Sequence, residues 1–202
     1  MGYLLIASMW IAYCILHSFL VSTSFTNLLA RSLKNYYAFY RIFYVSLSLV
    51  LLIPLIRYTD QLDSNIIITY GPLLNIVRIM LILGSLLIFF WAFFIDYDSL
   101  SFFGIRQILD FGKTKKINPP EDLKRNGLLG VVRHPMYSAL ILYLLCNTFT
   151  VTGIIVNIVL TIYIIIGTIL EEKKLVLEFG DTYVKYQQEV PMLIPFTKRN
   201  VK

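Results

Sequence analysis

The sequence predicts an all-α integral membrane protein with about five transmembrane helices, the last two forming a tight hairpin before a cytoplasmic C-terminal tail. Three observations predict this fold class. The 202 residues are 57% hydrophobic and only 15% charged, and their mean hydropathy of +0.71 is well above that of a soluble domain. Apolar stretches approach the length of about 20 residues that a spanning helix needs. Basic residues concentrate in alternate loops.

The apolar stretches define the helices in chain order. Three N-terminal helices fall within residues 1–95, and residues 96–202 hold a long polar loop, a helical hairpin and the tail. The sequence has no linker-like, low-complexity or repeated segment, so residues 1–202 are predicted to form a single domain. The first stretch lacks a basic leader and a small-residue cleavage site, which indicates a retained helix rather than a signal peptide. The predicted helices occupy 3–21, 39–58, 73–95, 135–149 and 154–170.

The basic residues predict the orientation of these helices. When the loops are assigned to alternate sides, sixteen of the eighteen Lys and Arg residues share one side. Only Arg57 and Arg78 lie on the other, beside Asp60 and Asp63. Because short cytoplasmic loops collect Lys and Arg, the N-terminus is predicted outside and the C-terminus inside. The sixteen are Arg31, Lys34, Arg41, Arg106, Lys113, Lys115, Lys116, Lys124, Arg125, Arg133, Lys173, Lys174, Lys185, Lys198, Arg199 and Lys202.

Composition and spacing also exclude several function classes. The net charge of +6 resides in loops rather than on an aromatic-studded face, so nucleic acid is not a predicted partner. Cys14 and Cys146 lie in apolar runs without a second Cys or a His at metal-ligand spacing, so neither a disulfide nor a metal site is predicted. No Gly-x-Gly-x-x-Gly follows a strand pattern, which argues against a soluble dinucleotide-type fold.

The first candidate for chemistry is the run Arg133-His134-Pro135-Met136-Tyr137 directly before an apolar stretch. Proline suits the first helical turn, where its missing N–H would be unpaired anyway, so His134 is predicted at the cap and Tyr137 one turn inside. Alone, an Arg-His-Pro run is also typical of a helix start with a basic flank at the membrane interface.

The second candidate is the pair Glu171-Glu172, predicted at the cytoplasmic end of the last helix. The helix dipole opposes carboxylates at a C-terminus, and adjacent carboxylates repel each other. Two interpretations account for the pair. Lys173 and Lys174 form a solvated charge cluster with it, or it holds a positively charged ligand at the membrane surface.

The third candidate is an aromatic, proline-punctuated tail. It contains Phe179-Gly180, Tyr183, Tyr186 and the stretch from Val190 to Phe196. The tail is predicted to lie back on the membrane surface. An interfacial aromatic belt is the plainer interpretation of the same residues.

The order and spacing of these runs over the C-terminal third resemble the isoprenylcysteine carboxyl methyltransferase and phospholipid methyltransferase superfamily. The N-terminal part adds a narrower resemblance, to the bacterial branch that contains methanethiol S-methyltransferase and the NnrU-type proteins. The runs that carry the narrower resemblance are His17-Ser18, Tyr40-Arg41 with Tyr44, Phe102-Phe103-Gly104-Ile105-Arg106-Gln107 and Val190-Pro191-Met192.

The resemblance implies an S-adenosylmethionine-dependent methyltransferase in the bacterial inner membrane, with no metal. It implies a pocket built from the Arg133 to Tyr137 segment and the end of the last helix, and roofed by the tail. The methyl donor is a sulfonium cation with an ammonium group, which suits carboxylates and aromatic rings. Its carboxylate suits Arg133 or His134 and the backbone N–H groups at a helix start. The implied cofactor-binding residues are Arg133, His134, Pro135, Tyr137, Glu171, Glu172, Tyr183 and Tyr186.

The methyl acceptor implied by the narrower resemblance is a small thiol. Positive charge near a thiol favours the thiolate, so Arg106 and His134 are the candidate catalytic residues. Arg106 is predicted equally well as an outward, interfacial residue. His17 is a rare histidine in an apolar helix, which indicates either a functional role or a hydrogen bond to another helix.

Two alternatives stay open. The C-terminal runs are shared across the superfamily, so the acceptor is alternatively lipid-like, an isoprenylcysteine carboxylate or a phospholipid amine. A non-catalytic membrane protein of the NnrU type, such as a transporter subunit, is the alternative outside the enzymes. The sequence has neither the inverted repeats nor the broken mid-membrane helices that are usual in transporters.

Overall fold

A computed structural model describes residues 2–62, 66–111, 123, 125–147 and 149–197. These residues are almost entirely helical, and an isolated antiparallel bridge joins Ile66 and Thr150. Several residues used above lie outside the described part: Asp63, Lys113, Lys115, Lys116, Lys124, Lys198, Arg199 and Lys202. The helices are α1 Gly2–Val21, α2 Thr23–Leu33, α3 Tyr40–Gln61, α4 Pro72–Trp91, α5 Ser99–Phe103, α6 Ile105–Leu109, α7 Pro135–Cys146, α8 Val151–Phe179 and α9 Asp181–Glu189.

The predicted class, an all-α integral membrane protein, is confirmed. In the described ranges, four helical stretches are long and apolar enough to cross a membrane: Gly2–Val21, Thr23–Gln61, Pro72–Asp96 and Val151–Phe179. The remaining predicted span, α7, has 12 residues. At about 1.5 Å per residue it is roughly 18 Å long, shorter than the hydrocarbon core of about 30 Å. Five spans and an outside N-terminus therefore stay predictions.

The end of the last long helix corrects one prediction. Helix α8 continues to Phe179, two turns beyond the predicted end at residue 170. Because dipole effects fade within the last turn, the expected repulsion between the helix C-terminus and Glu171-Glu172 is wrong. The apolar run ends before the helix does, since the following Lys, Leu and Glu residues all favour helix. Gly180, with φ of 56°, then ends it.

The chain divides into two compact units, and the first comprises residues 1–69, 98–115 and 148–160. Its core contains Ile6, Trp10, Leu55 and Val156. The indole Nε1 of Trp10 donates a hydrogen bond to Thr59 Oγ1 over 3.0 Å. This bond satisfies the polar atom of a buried aromatic residue, as an apolar environment requires.

A close backbone approach holds α5 and α6 in the first unit. Gly104 between them has φ of 82°, and a Cβ there would lie 2.9 Å from both Arg41 Cβ and Ile42 N. Arg41 Nε donates to the Phe102 carbonyl over 3.1 Å. Only glycine fits this turn without strain, which explains the Phe-Phe-Gly run in structural terms.

The second unit comprises residues 70–97, 116–147 and 161–202. Helix α7 packs along α4, and Met136 of α7 lies in a buried cluster with Ala92 and Phe93, which directly follow α4. Arg78 on α4 donates to the carbonyl of Cys146 over 3.4 Å. The last turn of every helix leaves carbonyls unpaired, and this contact satisfies one of those at the end of α7.

Candidate functional site

The site in the second unit is organised around a buried ion pair between Arg133 and Glu172. Arg133 Nε and Nη2 each donate to one oxygen of the Glu172 carboxylate over 2.6 Å. Its third nitrogen, Nη1, donates to the carbonyls of Gln187 and Val190. A bidentate, buried guanidinium–carboxylate pair is among the strongest charge-assisted contacts. It joins α8 to the segment before α7 and to the tail.

Glu172 receives three further hydrogen bonds. His134 Nε2 lies 3.1 Å from Oε1, the Tyr183 hydroxyl donates to Oε1 over 3.0 Å, and Gln187 Nε2 donates to Oε2 over 2.8 Å. Glu172 is only 6% exposed, and an unpaired carboxylate at that depth would be very unfavourable. The structure thus brings the predicted residues Arg133, His134, Glu172 and Tyr183 together, and this set with Gln187 is called the Glu172 network.

The tail runs along the start of α7. The backbone N–H groups of Arg133 and His134 donate to the carbonyls of Pro191 and Met192 over 2.9 and 3.1 Å. Ser138 Oγ donates to the Leu193 carbonyl over 2.6 Å. N–H groups at a helix start otherwise lack partners, so the tail satisfies them. His134 is the cap and Pro135 the first helical residue, as predicted.

Tyr186 anchors helix α9 from its buried face. Its hydroxyl donates to the carbonyl of Leu129 over 2.6 Å, and burial raises the pKa of Tyr186 to about 12. The guanidinium of Arg125 lies 5.4 Å from the centre of the Tyr186 ring and donates to the Thr182 carbonyl. Sequence reasoning counted Arg125 only as a topology charge and missed Gln187, whose residue type carried no signal.

Glu171 belongs to a second polar group in this unit. Its carboxylate lies close to the Tyr137 side chain, and the Tyr137 ring stacks on that of His134 with centroids 5.6 Å apart. Consecutive helical residues point about 100° apart, which separates Glu171 from Glu172. Burial, and then the nearby Glu171, Tyr186 and Asp96, raise the pKa of Tyr97.

Asp96 and Tyr97 were not among the predicted site residues. Asp96 ends a π-helical turn, Ala92–Asp96, and Tyr97 follows it directly. Turns of this kind are rare and often occur at functional sites. The run Asp96-Tyr97-Asp98 after an apolar stretch was visible in the sequence, but a π-turn was not.

Two predicted residues lie in the first unit. Arg106 Nε pairs with Asp98 Oδ2 over 3.0 Å, and the Arg106 side chain is 55% exposed. Hydrogen bonds from the Ser101 side chain and backbone, with Arg106 nearby, lower the pKa of Asp98. The rings of Tyr13 and Tyr44 lie 6.2 and 5.9 Å from that of His17. A role for Arg106 in acceptor activation stays a prediction.

An open groove of about 690 Å³ lies beside the Glu172 network, and its volume is typical of small-molecule sites. Among the described residues, no group of three or more His, Cys, Asp or Glu side chains is placed to hold a metal ion. The groove is lined by Ile169, Glu172, Lys173, Val176, Leu177, Gln187 and Met192.

Curated proteins of known name resemble this chain over somewhat more than half of its length. It is 41% identical over 120 residues to a methanethiol S-methyltransferase of Pseudomonas deceptionensis, which covers 58% of this chain and 44% of that protein. It is 39% identical over 127 residues to the protein of the same name from Pseudomonas sp. (strain GM41(2012)), which covers 58% of this chain and 47% of that protein. It is 35% identical over 115 residues to the methanethiol S-methyltransferase of Crocosphaera subtropica, which covers 56% of this chain and 44% of that protein.

The matched part of the chain thus spans less than half the length of these curated relatives. No family model matches the chain. No solved structure matches it either. The relatives carry the name of the bacterial branch that the motifs resemble, so that predicted resemblance is confirmed.

Proposed function

We propose that this protein is a membrane-embedded, S-adenosylmethionine-dependent methyltransferase whose acceptor is a small thiol, with methanethiol first. One structural observation carries the proposal: Arg133, His134, Glu172 and Tyr183, which come from three separate segments, converge in one buried network. The names of the relatives support both the methyl transfer and the thiol. The product from methanethiol would be dimethyl sulfide.

The residues present fit a cationic methyl donor. Glu172 is occupied by Arg133, His134, Tyr183 and Gln187, whereas Glu171 lies outside that network with Tyr137. Glu171 is therefore the carboxylate proposed to pair with the positive groups of the donor, beside aromatic rings that favour a cation. When bound, S-adenosylmethionine supplies a methyl group activated by a positively charged sulfur.

The eight predicted cofactor-binding residues divide into two roles in this proposal. Those in or beside the Glu172 network hold the shape of the site, and Tyr137 and Glu171 contact the donor. Methyl transfer needs an aligned acceptor and the exclusion of water more than covalent machinery. The tail contributes to that exclusion because it is hydrogen-bonded along the start of α7. The network set comprises Arg133, His134, Pro135, Glu172, Tyr183 and Tyr186.

The proposed location is the inner membrane, with the site on the cytoplasmic side. The sixteen-to-two division of basic residues supports an outside N-terminus and an inside C-terminus. Reporter fusions test this orientation. A C-terminal reporter that is active only outside the cytoplasm would contradict it, together with access of the site to cytosolic S-adenosylmethionine.

The proposed activity is tested with detergent-purified protein, methyl-labelled S-adenosylmethionine and methanethiol. Headspace gas chromatography should detect labelled dimethyl sulfide. A farnesylcysteine analogue and phosphatidylethanolamine are run in parallel. Label only in the prenyl or lipid product would refute the thiol acceptor and keep the methyltransferase. Absence of saturable S-adenosylmethionine binding would refute the enzyme and favour the non-catalytic, NnrU-like alternative.

A further inference from the structure

We infer that His134 is the general base of the reaction, that its Nδ1 atom takes the proton of the thiol acceptor, and that Glu172 positions the ring for this step. This inference rests on the proposed function. It differs from the prediction of His134 as a positive charge that favours a thiolate, because it requires a neutral imidazole with a free lone pair on one particular nitrogen.

The contact between His134 and Glu172 decides which nitrogen carries the hydrogen. Nε2 lies 3.1 Å from Glu172 Oε1. The same carboxylate accepts from both Arg133 nitrogens, from Tyr183 and from Gln187, all of which are donors. An oxygen held by donors on every side is an ionised acceptor. His134 Nε2 must therefore carry the hydrogen in this contact, and that assignment follows from the network.

The other nitrogen, Nδ1, is buried and has no hydrogen-bond partner among the residues that the structure describes. His134 as a whole is 2% exposed. A neutral imidazole carries its hydrogen on one nitrogen only, and here that nitrogen is Nε2. Nδ1 therefore holds a lone pair. Unpaired buried acceptors are rare in folded proteins, and each one calls for an explanation.

A thiol S–H is the donor that completes this arrangement. Activated nucleophiles commonly have a base within hydrogen-bond reach, and that base is oriented by a third group. Here Glu172 is the third group, and stacking on Tyr137 fixes the ring plane at an interplanar angle of 16°. The positive groups of the methyl donor are assigned to Glu171, which leaves the His134 lone pair for the acceptor.

The Nδ1 atom is enclosed by the protein around it. The atom has no exposed surface, so bulk water does not compete for its lone pair. The backbone N–H of His134 donates to the Met192 carbonyl of the tail. An acceptor therefore reaches Nδ1 only when the residues around it move, and a small thiol requires the smallest movement.

The reaction conserves atoms and charge. The thiol S–H bond breaks, and its proton passes to Nδ1. The thiol sulfur forms a bond to the methyl carbon, and the electron pair of the breaking carbon–sulfonium bond remains on the donor sulfur as a thioether. The imidazolium formed is stabilised by Glu172, and it releases its proton to water after the products leave.

The test compares an alkanethiol, which is un-ionised at neutral pH, with an aryl thiol, which is largely ionised at that pH. His134→Gln places an amide N–H near the position of Nε2, so it preserves the bond to Glu172 and removes the lone pair at Nδ1. This variant should lose about 10²–10⁴-fold in rate with methanethiol and little with thiophenol. Calorimetric binding of S-adenosylmethionine should be unchanged. His17→Gln, at the other histidine of the chain, is the matched control and should leave the ratio of the two rates unaltered.

Equal losses on both thiols, or lost donor binding in His134→Gln, would overturn the base assignment and leave the methyltransferase standing. Wild-type protein that methylates neither thiol would overturn the proposed function itself. If His134→Gln does not fold, the wild-type rates in heavy water decide. The base assignment requires a slower methyl transfer to methanethiol and no slowing with thiophenol, and equal effects on both would refute it.

Discussion

Two Arg–carboxylate pairs in this molecule have the same chemistry and opposite surroundings. Arg133 and Glu172 in the second unit are 0% and 8% exposed in their side chains and lie 2.6 Å apart. Arg106 and Asp98 in the first unit are 55% and 36% exposed and 3.0 Å apart. Solvent and salt screen the exposed pair, so it contributes little to the stability of the fold. In the buried pair, each charge is stable only while its partner is present, because an unpaired buried charge is very unfavourable. The other members of the Glu172 network are hydrogen-bonded to this pair.

The largest expected effect comes from removing one partner of the buried pair. Arg133→Met should lower the free energy of unfolding by about 3–5 kcal/mol, because it leaves Glu172 buried and charged without its main partner. The double variant Arg133→Met with Glu172→Leu should recover much of that loss. Thermal unfolding in detergent, followed by size-exclusion chromatography, measures both. A double variant as unstable as the single one would contradict this account.

A second prediction separates the two adjacent glutamates. Glu171→Gln should weaken S-adenosylmethionine binding by about 1.5–3 kcal/mol, roughly ten- to over a hundredfold, through loss of a charge-assisted contact. It should hardly change stability, since Glu171 lies outside the Glu172 network. Isothermal titration calorimetry decides.

Glu178→Gln is the matched control for Glu171→Gln, because Glu178 is an exposed carboxylate on the same helix. Lys113→Ala and Lys115→Ala, the controls suggested by the sequence, lie outside the described residues. Equal affinity in the Glu171 and Glu178 variants would support the interpretation of Glu171 as a solvated interfacial charge.

A third prediction concerns the glycine turn between α5 and α6. Gly104→Ala should destabilise the protein by about 1–2 kcal/mol from the positive φ alone, and the contact with Arg41 adds to this. Gly84→Ala is the matched control within α4, where a Cβ meets nothing within 4 Å. There alanine should be neutral or stabilising by up to about 1 kcal/mol. Thermal unfolding that shifts equally in both variants would refute a close approach at Gly104.

The smallest expected effect concerns the Asp98–Arg106 pair. The pKa of Asp98 is lowered in the folded protein, so its contribution is present at neutral pH and is lost as the pH falls through the folded pKa, below the ordinary value of 3.8. Asp98→Asn should therefore cause only a slight loss of stability at pH 7, and less at high salt. A loss comparable with that of Arg133→Met would mean that exposure is not what separates the two pairs.

The candidate site was predicted in part because several of its features are local. Pro135 marks the helix start in the sequence itself, and His134 and Tyr137 follow from it. The aromatic spacing of Tyr183 and Tyr186 was equally visible. Gln187 and Asp96 were missed, since a glutamine in a polar helix and an aspartate after an apolar run acquire meaning only from what they contact.

The membrane class, the positions of the long apolar helices and the concentration of basic residues in alternate loops could all be predicted from the amino-acid sequence. These properties depend on the hydropathy and charge of contiguous residues, which need no partner. The division of Glu171 and Glu172 between two polar groups became visible only in the folded protein. The physical reason is that a buried carboxylate takes its role from the donors around it. For Glu172 those donors come from residues 11 to 39 positions away along the chain, so only folding brings them together.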